Sequence, residues 1–325
     1  MKKTSNIDSL EKHKIGLCIL AHSRVNHLRK TINAVLKYKN NKDKIYIFVD
    51  NFSDKDLLQK KEKCKIVQRY LSKIKSNKII IIKSKTKIGP RENWYRAYQH
   101  MFKIFNKVIV LEDDIVIKKN FLAFMKYYLN RFENNNKIFS ITGFASPVDL
   151  PKNYKYDCYL SNRSMSWSKA TWKRVWIQFK KLKINHQKII SNKKNIKLLS
   201  NAGQDLVRTI KLDYFKLINS FQIWWIWNIV KKNGLCVNPI ENLVYNIGFD
   251  GSGFHMNKKE KFFFNKKKFK NKIRMKKIYF SEKINSSFKN NFKIKNLSFF
   301  LFRYLNIKIL EKIIKIKFKI FAKIF

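Results

Sequence analysis

Along the first half of the chain, short runs of consecutive apolar residues alternate with longer segments whose apolar positions recur at helical spacing. Ile15-Gly-Leu-Cys-Ile-Leu20 has the length of a buried strand, and after Ala21-His-Ser-Arg24 the residues Val25, Leu28, Ile32, Val35 and Leu36 share one helical face. Ile45-Tyr-Ile-Phe-Val49 predicts a second strand, closed by Asp50 and Asn51, with a polar helical stretch running to about Ser72. Ile79-Ile-Ile-Ile82 predicts a third. Beyond Gly89-Pro90 a helix is expected over Arg91 to Phe105, leading into the apolar run Lys107-Val-Ile-Val-Leu-Glu112. Phe121 to Phe132 predicts another helix and Ile138-Phe-Ser-Ile-Thr142 a further strand. Strands alternating with helices need crossover connections, so the expected fold is α/β, a mostly parallel sheet flanked by helices.

In such a sheet, ligands bind beyond the carboxyl ends of the strands. Arg24, Asp50 and the triplet Glu112-Asp113-Asp114 all follow strands directly and are expected to face one crevice. Three adjacent acids stand out in a chain with 21 acidic and 72 basic residues. Crowded carboxylates repel one another unless something cationic or hydrogen-bonding sits among them. Mg²⁺ or Mn²⁺ would serve, since these hard ions take one or two carboxylates and complete their shell with water and substrate phosphates. The alternative is that the acids solvate a strand end, with Asp114 capping the next turn. No Gly-rich phosphate loop follows the first strand, so a bound diphosphate would depend on metal and basic side chains.

The middle third is rich in tryptophan. Trp172 and Trp176, four apart, are expected to share a helical face, and Trp224, Trp225 and Trp227 form a second cluster. Core packing is the expectation for Trp176 and Trp225, whereas Trp167 is balanced between core and a sugar platform. Asn246-Ile-Gly-Phe-Asp-Gly-Ser-Gly253-Phe-His255 gathers three of the eight glycines into a loop suited to close backbone approach or to closure over a ligand.

From Lys258 onward the chain carries roughly 22 basic and 3 acidic residues interleaved with Phe and Ile. Lys308, Lys312, Lys315, Lys319 and Lys323 fall on one helical face opposite Leu310, Ile313, Ile314, Phe321 and Ile324. Such a helix can lie on an anionic membrane surface, but one docked on its own domain has the same pattern, and Ile314 to Ile320 also alternates at strand period.

The formal net charge of +51 suggests a polyanionic or membrane-surface partner, but lysines crowd the whole chain rather than one motif, and compositional drift explains the larger part. A basic nucleic-acid-binding protein would show the same charge, yet it gives the acid triplet no purpose and no such motif is legible, so no nucleic acid is expected. Cys18, Cys64, Cys158 and Cys236 lack ligand spacing, which points to a reducing compartment without structural zinc. The polar stretch Met1 to Lys14 lacks a signal-peptide core and no run reaches membrane-span length, so the expected location is cytoplasmic, peripheral on the cytoplasmic face of the inner membrane.

Taken together, Ala21-His-Ser-Arg24, Asp50, Asn93, Val110-Leu-Glu-Asp-Asp114, Ser166-Trp-Ser-Lys-Ala-Thr-Trp172 and the glycine loop resemble nucleotide-sugar glycosyltransferases of the GT-A fold. The likeness runs from about Ile15 to His255. It is nearest to bacterial transferases of surface-polysaccharide synthesis, similar in layout to the N-acetylglucosaminyltransferase that starts complex N-glycan branching. It implies a Rossmann-like catalytic domain over 15–256, between an N-terminal extension over 1–14 and a basic helical extension over 257–325. It also implies a nucleotide-sugar donor, a glycan or lipid-linked acceptor, and Mn²⁺ or Mg²⁺. Carried over by position, Ala21, Arg24, Asp50 and Asn93 would hold the nucleoside, most naturally uridine. Glu112 and Asp113 would meet ribose and donor sugar, and Asp114 would ligate the metal. Asp250, Ser252 and His255 would belong to the loop that orders over the donor. The chain departs from the family where a catalytic Asp is expected, because Ile218-Asn-Ser-Phe-Gln222 stands there and neither Asn219 nor Gln222 can act as a base. Asp205 is the nearest acid in a loop setting and becomes the candidate base. With no base at that position, a homologue that binds donor but is catalytically weakened is the other expectation.

Overall fold

The computed structural model describes residues 15–40, 43–180, 184–250 and 272–294. The alternating pattern becomes one large sheet. The strands β1 (Ile15–Ala21), β2 (Ile45–Val49), β3 (Ile79–Lys83) and β4 (Lys107–Glu112) lie parallel in the order β3-β2-β1-β4. The sheet continues through β8 (Lys169–Trp172), β6 (Ile138–Ile141), β9 (Leu235–Pro239) and β7 (Cys158–Ser161). Here β8 is antiparallel to both neighbours and β7 is antiparallel to β9, so the second half is mixed. A separate antiparallel ribbon joins β5 (Ile115–Ile117) to β10 (Val244–Asn246).

Crossover helices α1 (Val25–Tyr38), α2 (Leu58–Ser72) and α3 (Pro90–Ile104) connect the parallel strands, and α4 (Phe121–Arg131) follows the ribbon strand β5. The helix after β3 starts on Pro90, one residue earlier than expected. Proline suits the first helical position, where its missing N–H would have no intrahelical partner. Gly89 before it sits at φ 86°, a left-handed conformation that favours glycine.

Trp172 and Trp176 do not share a helical face. Trp172 ends β8, where its indole N–H donates to the Leu129 carbonyl at 2.8 Å, and Trp176 lies on α5 (Lys173–Lys180). Strand pairing with β4 takes Trp172 out of the helix that spacing alone allowed. Trp176 and Trp225 are both buried, as expected.

A smaller helical layer follows, comprising α6 (His186–Ser191), α7 (Lys193–Ser200), α8 (Asp205–Tyr214) and α9 (Phe221–Lys231). It has its own core of Leu199, Leu206, Val207, Ile210 and Ile223, while Trp225 and Ile229 of α9 belong to the main core. Of the basic C-terminal region, residues 272–294 are described. Met275 and, from α10 (Glu282–Asn290), Ile284 and Phe288 join the main core beside β7. The lysine face over 308–323 lies outside the described residues.

Candidate functional site

The carboxyl ends of β1, β2 and β4 open into a cavity of about 1030 Å³. Ala21, Arg24, Asp50, Asn93, Glu112, Asp113 and Asp114 all line it, so the crevice read from strand ends forms as one space. Asp113 and Asp114 make the turn between β4 and β5, and three contacts hold that turn. The Thr31 hydroxyl donates to the Asp113 carbonyl at 2.8 Å, the Ile247 amide donates to the Asp114 carbonyl at 2.9 Å, and the Arg24 guanidinium pairs with both carboxylates, with Asp114 Oδ2 at 2.9 Å. Arg24 therefore neutralises the acids directly, a role the sequence did not assign to it.

Burial pushes the Asp113 carboxyl up to about 6 despite Arg24, and pushes Glu112 up to about 7, with Asp114 adding repulsion. Burial works against the charge on Arg24 too, but Asp113 and Asp114 outweigh it and hold the guanidinium above its ordinary value. Glu112 also accepts from the Trp94 indole N–H at 3.2 Å. The other oxygen of Asp114, Oδ1, is buried and has no hydrogen-bond partner among the described residues. A buried carboxylate oxygen without a donor is unfavourable by itself and suits a cation ligand. Among the described residues there is no group of three or more His, Cys, Asp or Glu side chains that could hold a metal ion.

Asp50 organises the opposite rim. Its carboxylate accepts from the backbone amides of Asn51, Ile88 and Gly89 at 2.8, 2.9 and 2.9 Å, which fixes the entry to α3. The Asn93 amide bonds inward, to the Phe48 carbonyl at 3.3 Å and from Arg96 at 2.9 Å. Lys60, Lys63 and Lys87 line the same side and make it cationic.

The ribbon brings a distant segment over the acids. Asn246 pairs with Ile115, and Gly248 lies so close that a Cβ there would sit 2.2 Å from Asp114 Oδ2 and 2.9 Å from Arg24 Nη1. His27 fastens this segment through Nε2, 3.1 Å from the Ile247 carbonyl and 3.1 Å from Asp250 Oδ2. Of the expected donor-loop residues, Asp250 thus lies next to the cavity wall, while Ser252 and His255 fall outside the described residues. Trp167 is partly buried and packs edge-on against Phe144 and the cavity residue Phe249, at 4.5 and 5.3 Å between centroids. It flanks the cavity without lining it.

Facing the acids are Ser166, Asn219, Ser220, Phe221 and Gln222. Gln222 is engaged at both ends, accepting from Lys169 Nζ at 2.6 Å and donating to the Ser164 carbonyl at 2.5 Å. Lys169 is fully buried behind this wall over the rings of Trp94, Phe221 and Trp225, and burial lowers its pKa to about 7. Among the described residues no carboxylate lies on this wall. Asp205, expected as base, does not line the cavity. It starts α8 in a two-point ion pair with Arg163 at 2.6 and 2.8 Å, a structural use that an acid in a loop-like sequence does not reveal. Sequence reasoning missed Trp94 and His27, which carried no motif of their own, and gave Lys169 no role, though it stands inside the Ser166 to Trp172 segment. Gly248 belongs to the glycine loop that the sequence marked for close backbone approach, and its contact with Asp114 is that approach.

Residues 2–148 match the family model described as the GNT-I family. The matched segment is a little under half of the chain and holds β1 through β6 with every acid of the cavity. No curated protein sequence matches. Among solved structures, the chain is similar to mannosyltransferase PcManGT from Pyrobaculum calidifontis in complex with GDP-Man and Mn²⁺, at 10% identity and a TM-score of 0.35 over 50% of this chain and 46% of that one. It is also similar to S. aureus TarS 1-349 in complex with UDP-GlcNAc, at 9% identity and a TM-score of 0.39 over 71% of this chain and 57% of that one. The chain thus spans about half the length of these two structures. The family match thus lies across the strand ends that carry the acids of the cavity, on a mixed α/β sheet whose first four strands are parallel.

Proposed function

We propose that the protein moves a sugar from a nucleotide-sugar donor, with uridine diphosphate as the carrier that the family likeness implies, to a hydroxyl of a surface glycan or lipid-linked acceptor. Mn²⁺ or Mg²⁺ would bind at Asp114. The observation that carries this reading is the buried, unpartnered Oδ1 of Asp114 on the floor of a cavity large enough for a nucleotide sugar. A divalent ion held there supplies charge stabilisation to a departing diphosphate.

The residues of the chain divide the remaining work. Arg24 keeps Asp113 and Asp114 from repelling each other, and Lys60, Lys63 and Lys87 give the nucleotide side a positive field. Asp50 and Asn93 shape the base end, Trp94 orients the Glu112 carboxylate toward ribose or sugar, and Asp250 with Ser252 and His255 forms the donor loop. Trp167 borders the acceptor side. Residues 15–256 form the catalytic domain in this scheme, placed on the cytoplasmic face of a membrane. Among the described residues no helix is long and apolar enough to cross one.

Titration calorimetry with UDP and Mn²⁺ tests donor binding, and a panel of UDP-sugars tests turnover. Binding should vanish in Asp114→Ala, and unchanged turnover in that variant would refute the metal role. That no described carboxylate lies on the Ser166 to Gln222 wall, where neither Asn219 nor Gln222 can act as a base, favours a second reading, a transferase that binds donor but turns over weakly. Donor binding without turnover on any sugar in the panel would select it.

A further inference from the structure

Helix α2 is apolar on two sides. Cys64, Val67 and Leu71 face the core and are fully buried. Yet Leu57 and Leu58 at its start are 79% and 80% exposed, and Ile66, two turns beyond Leu58 on the same face, is 41% exposed. Single surface leucines are ordinary, but adjacent leucines projecting from a helix start, with an isoleucine behind them, make a patch. The patch is ringed by cations, with Lys55, Lys63, Lys65 and Arg69 all exposed. Two of the three acids between residues 54 and 69 are already matched. Asp56 pairs with Lys87 at 2.6 Å and Lys60 at 3.5 Å, and Glu62 pairs with Lys65 at 2.8 Å and Arg69 at 4.0 Å. Leu57, Gln59, Lys60 and Lys63 also line the cavity, so the patch adjoins its mouth.

We propose that the Leu57 to Ile66 face of α2 docks on an anionic lipid bilayer. Protruding aliphatic tips can enter the headgroup region while the surrounding lysines meet lipid phosphates, a pairing of shallow apolar burial with charge attraction that a fluid anionic surface satisfies. A folded protein partner favours a broader complementary patch with aromatic anchors, and apart from Gln59 the exposed side chains of this face are aliphatic or charged, with none aromatic. The purpose of docking rests on the proposed function: it would hold the mouth of the donor cavity at the headgroup plane, where a lipid-linked acceptor is presented. Docking itself does not depend on that function.

The four native cysteines are buried, so Leu58→Cys in the full chain offers a single accessible thiol for an environment-sensitive fluorophore. Lys103→Cys, at the exposed end of α3, is the control position. With vesicles of phosphatidylcholine containing about one-third phosphatidylglycerol, the label at 58 should move to an apolar environment and the label at 103 should not. The unlabelled variant Leu58→Ser/Ile66→Ser should need on the order of tenfold more of this lipid for half binding. Its thermal stabilisation by UDP and Mn²⁺ should match that of the native chain, since neither residue lines the cavity. Docking through α2 is overturned if the chain binds vesicles while the label at 58 stays in water, if the serine variant binds unchanged, or if the chain does not bind at all. Docking without any response to UDP and Mn²⁺ would sink the donor reading alone, and the converse would sink docking alone.

Discussion

Lys169 allows the energetics of the site to be tested without knowing the donor. Its ammonium is fully buried, bonded to Gln222 and lying 5.0, 5.3 and 5.0 Å from the ring centroids of Trp94, Phe221 and Trp225. Burial lowers its pKa from 10.5 to about 7, against the attraction of Glu112. The folded value lies below the unfolded one, so between them the unfolded chain binds the extra proton. Folding is therefore penalised in full below about pH 7, and the penalty fades as pH rises toward 10.5. A separation of roughly 3.5 units corresponds to a maximum of about 5 kcal/mol, of which about 3 kcal/mol falls between pH 7 and 9.5. Lys169→Met keeps the length of the side chain and removes the charge. Urea unfolding of both proteins across this range should show the native chain gaining about 3 kcal/mol relative to the variant. Taking the difference cancels the titration of groups remote from Lys169 and leaves its own proton together with its coupling to Glu112 and Cys236. A difference that stays flat with pH would refute the claim that Lys169 loses its proton near neutrality inside the aromatic wall.

Gly248→Ala places a methyl group 2.2 Å from Asp114 Oδ2 and 2.9 Å from Arg24 Nη1, so the Asp114 carboxylate must move off its position beside Arg24, and affinity for UDP with Mn²⁺ should fall about tenfold by calorimetry. Asp205→Asn removes the two-point bond from Arg163, which is 9% exposed, and should lower unfolding free energy by about 1–3 kcal/mol while per-molecule turnover stays within about twofold. Loss of turnover in the folded variant would restore Asp205 as a base. Asp213, with a fully buried side chain paired to Arg91 and His186, ties the helical layer to the start of α3. Burial opposes its charge, but His186 and Arg91 hold its pKa below the ordinary value, so its stabilisation is present above about pH 4 and lost as pH falls further. Asp213→Asn should cost about 3 kcal/mol at neutral pH in thermal or urea melts, and a variant as stable as the native chain would show that this tie is unimportant.

Much of the first half was legible in the residues because each of its signals is local. A run such as Ile45 to Val49, buried at every position, has no polar member to be misread, and Asp50 directly after it marks a strand end. Crossover connections make successive strands parallel, which brings their carboxyl ends to one edge of the sheet, so Arg24, Asp50 and Asp114 could be grouped without coordinates. The second half was harder because its short strands depend on partners. Trp172 reads as helix by spacing, and only pairing with Lys107 makes it strand.

The sequence by itself determined the α/β alternation, the acids at the end of β4 and the crevice they share with Arg24 and Asp50. The tertiary structure alone decided how those acids are used. The Arg24 guanidinium reaches Asp113 and Asp114 from another crossover unit, Gly248 reaches Asp114 through the β5–β10 ribbon, and Arg163 takes Asp205 away from the cavity. Residue type and spacing record what a side chain can do. Which partner it meets follows from contacts between segments far apart in the chain, where burial makes an unpaired charge too costly to leave alone.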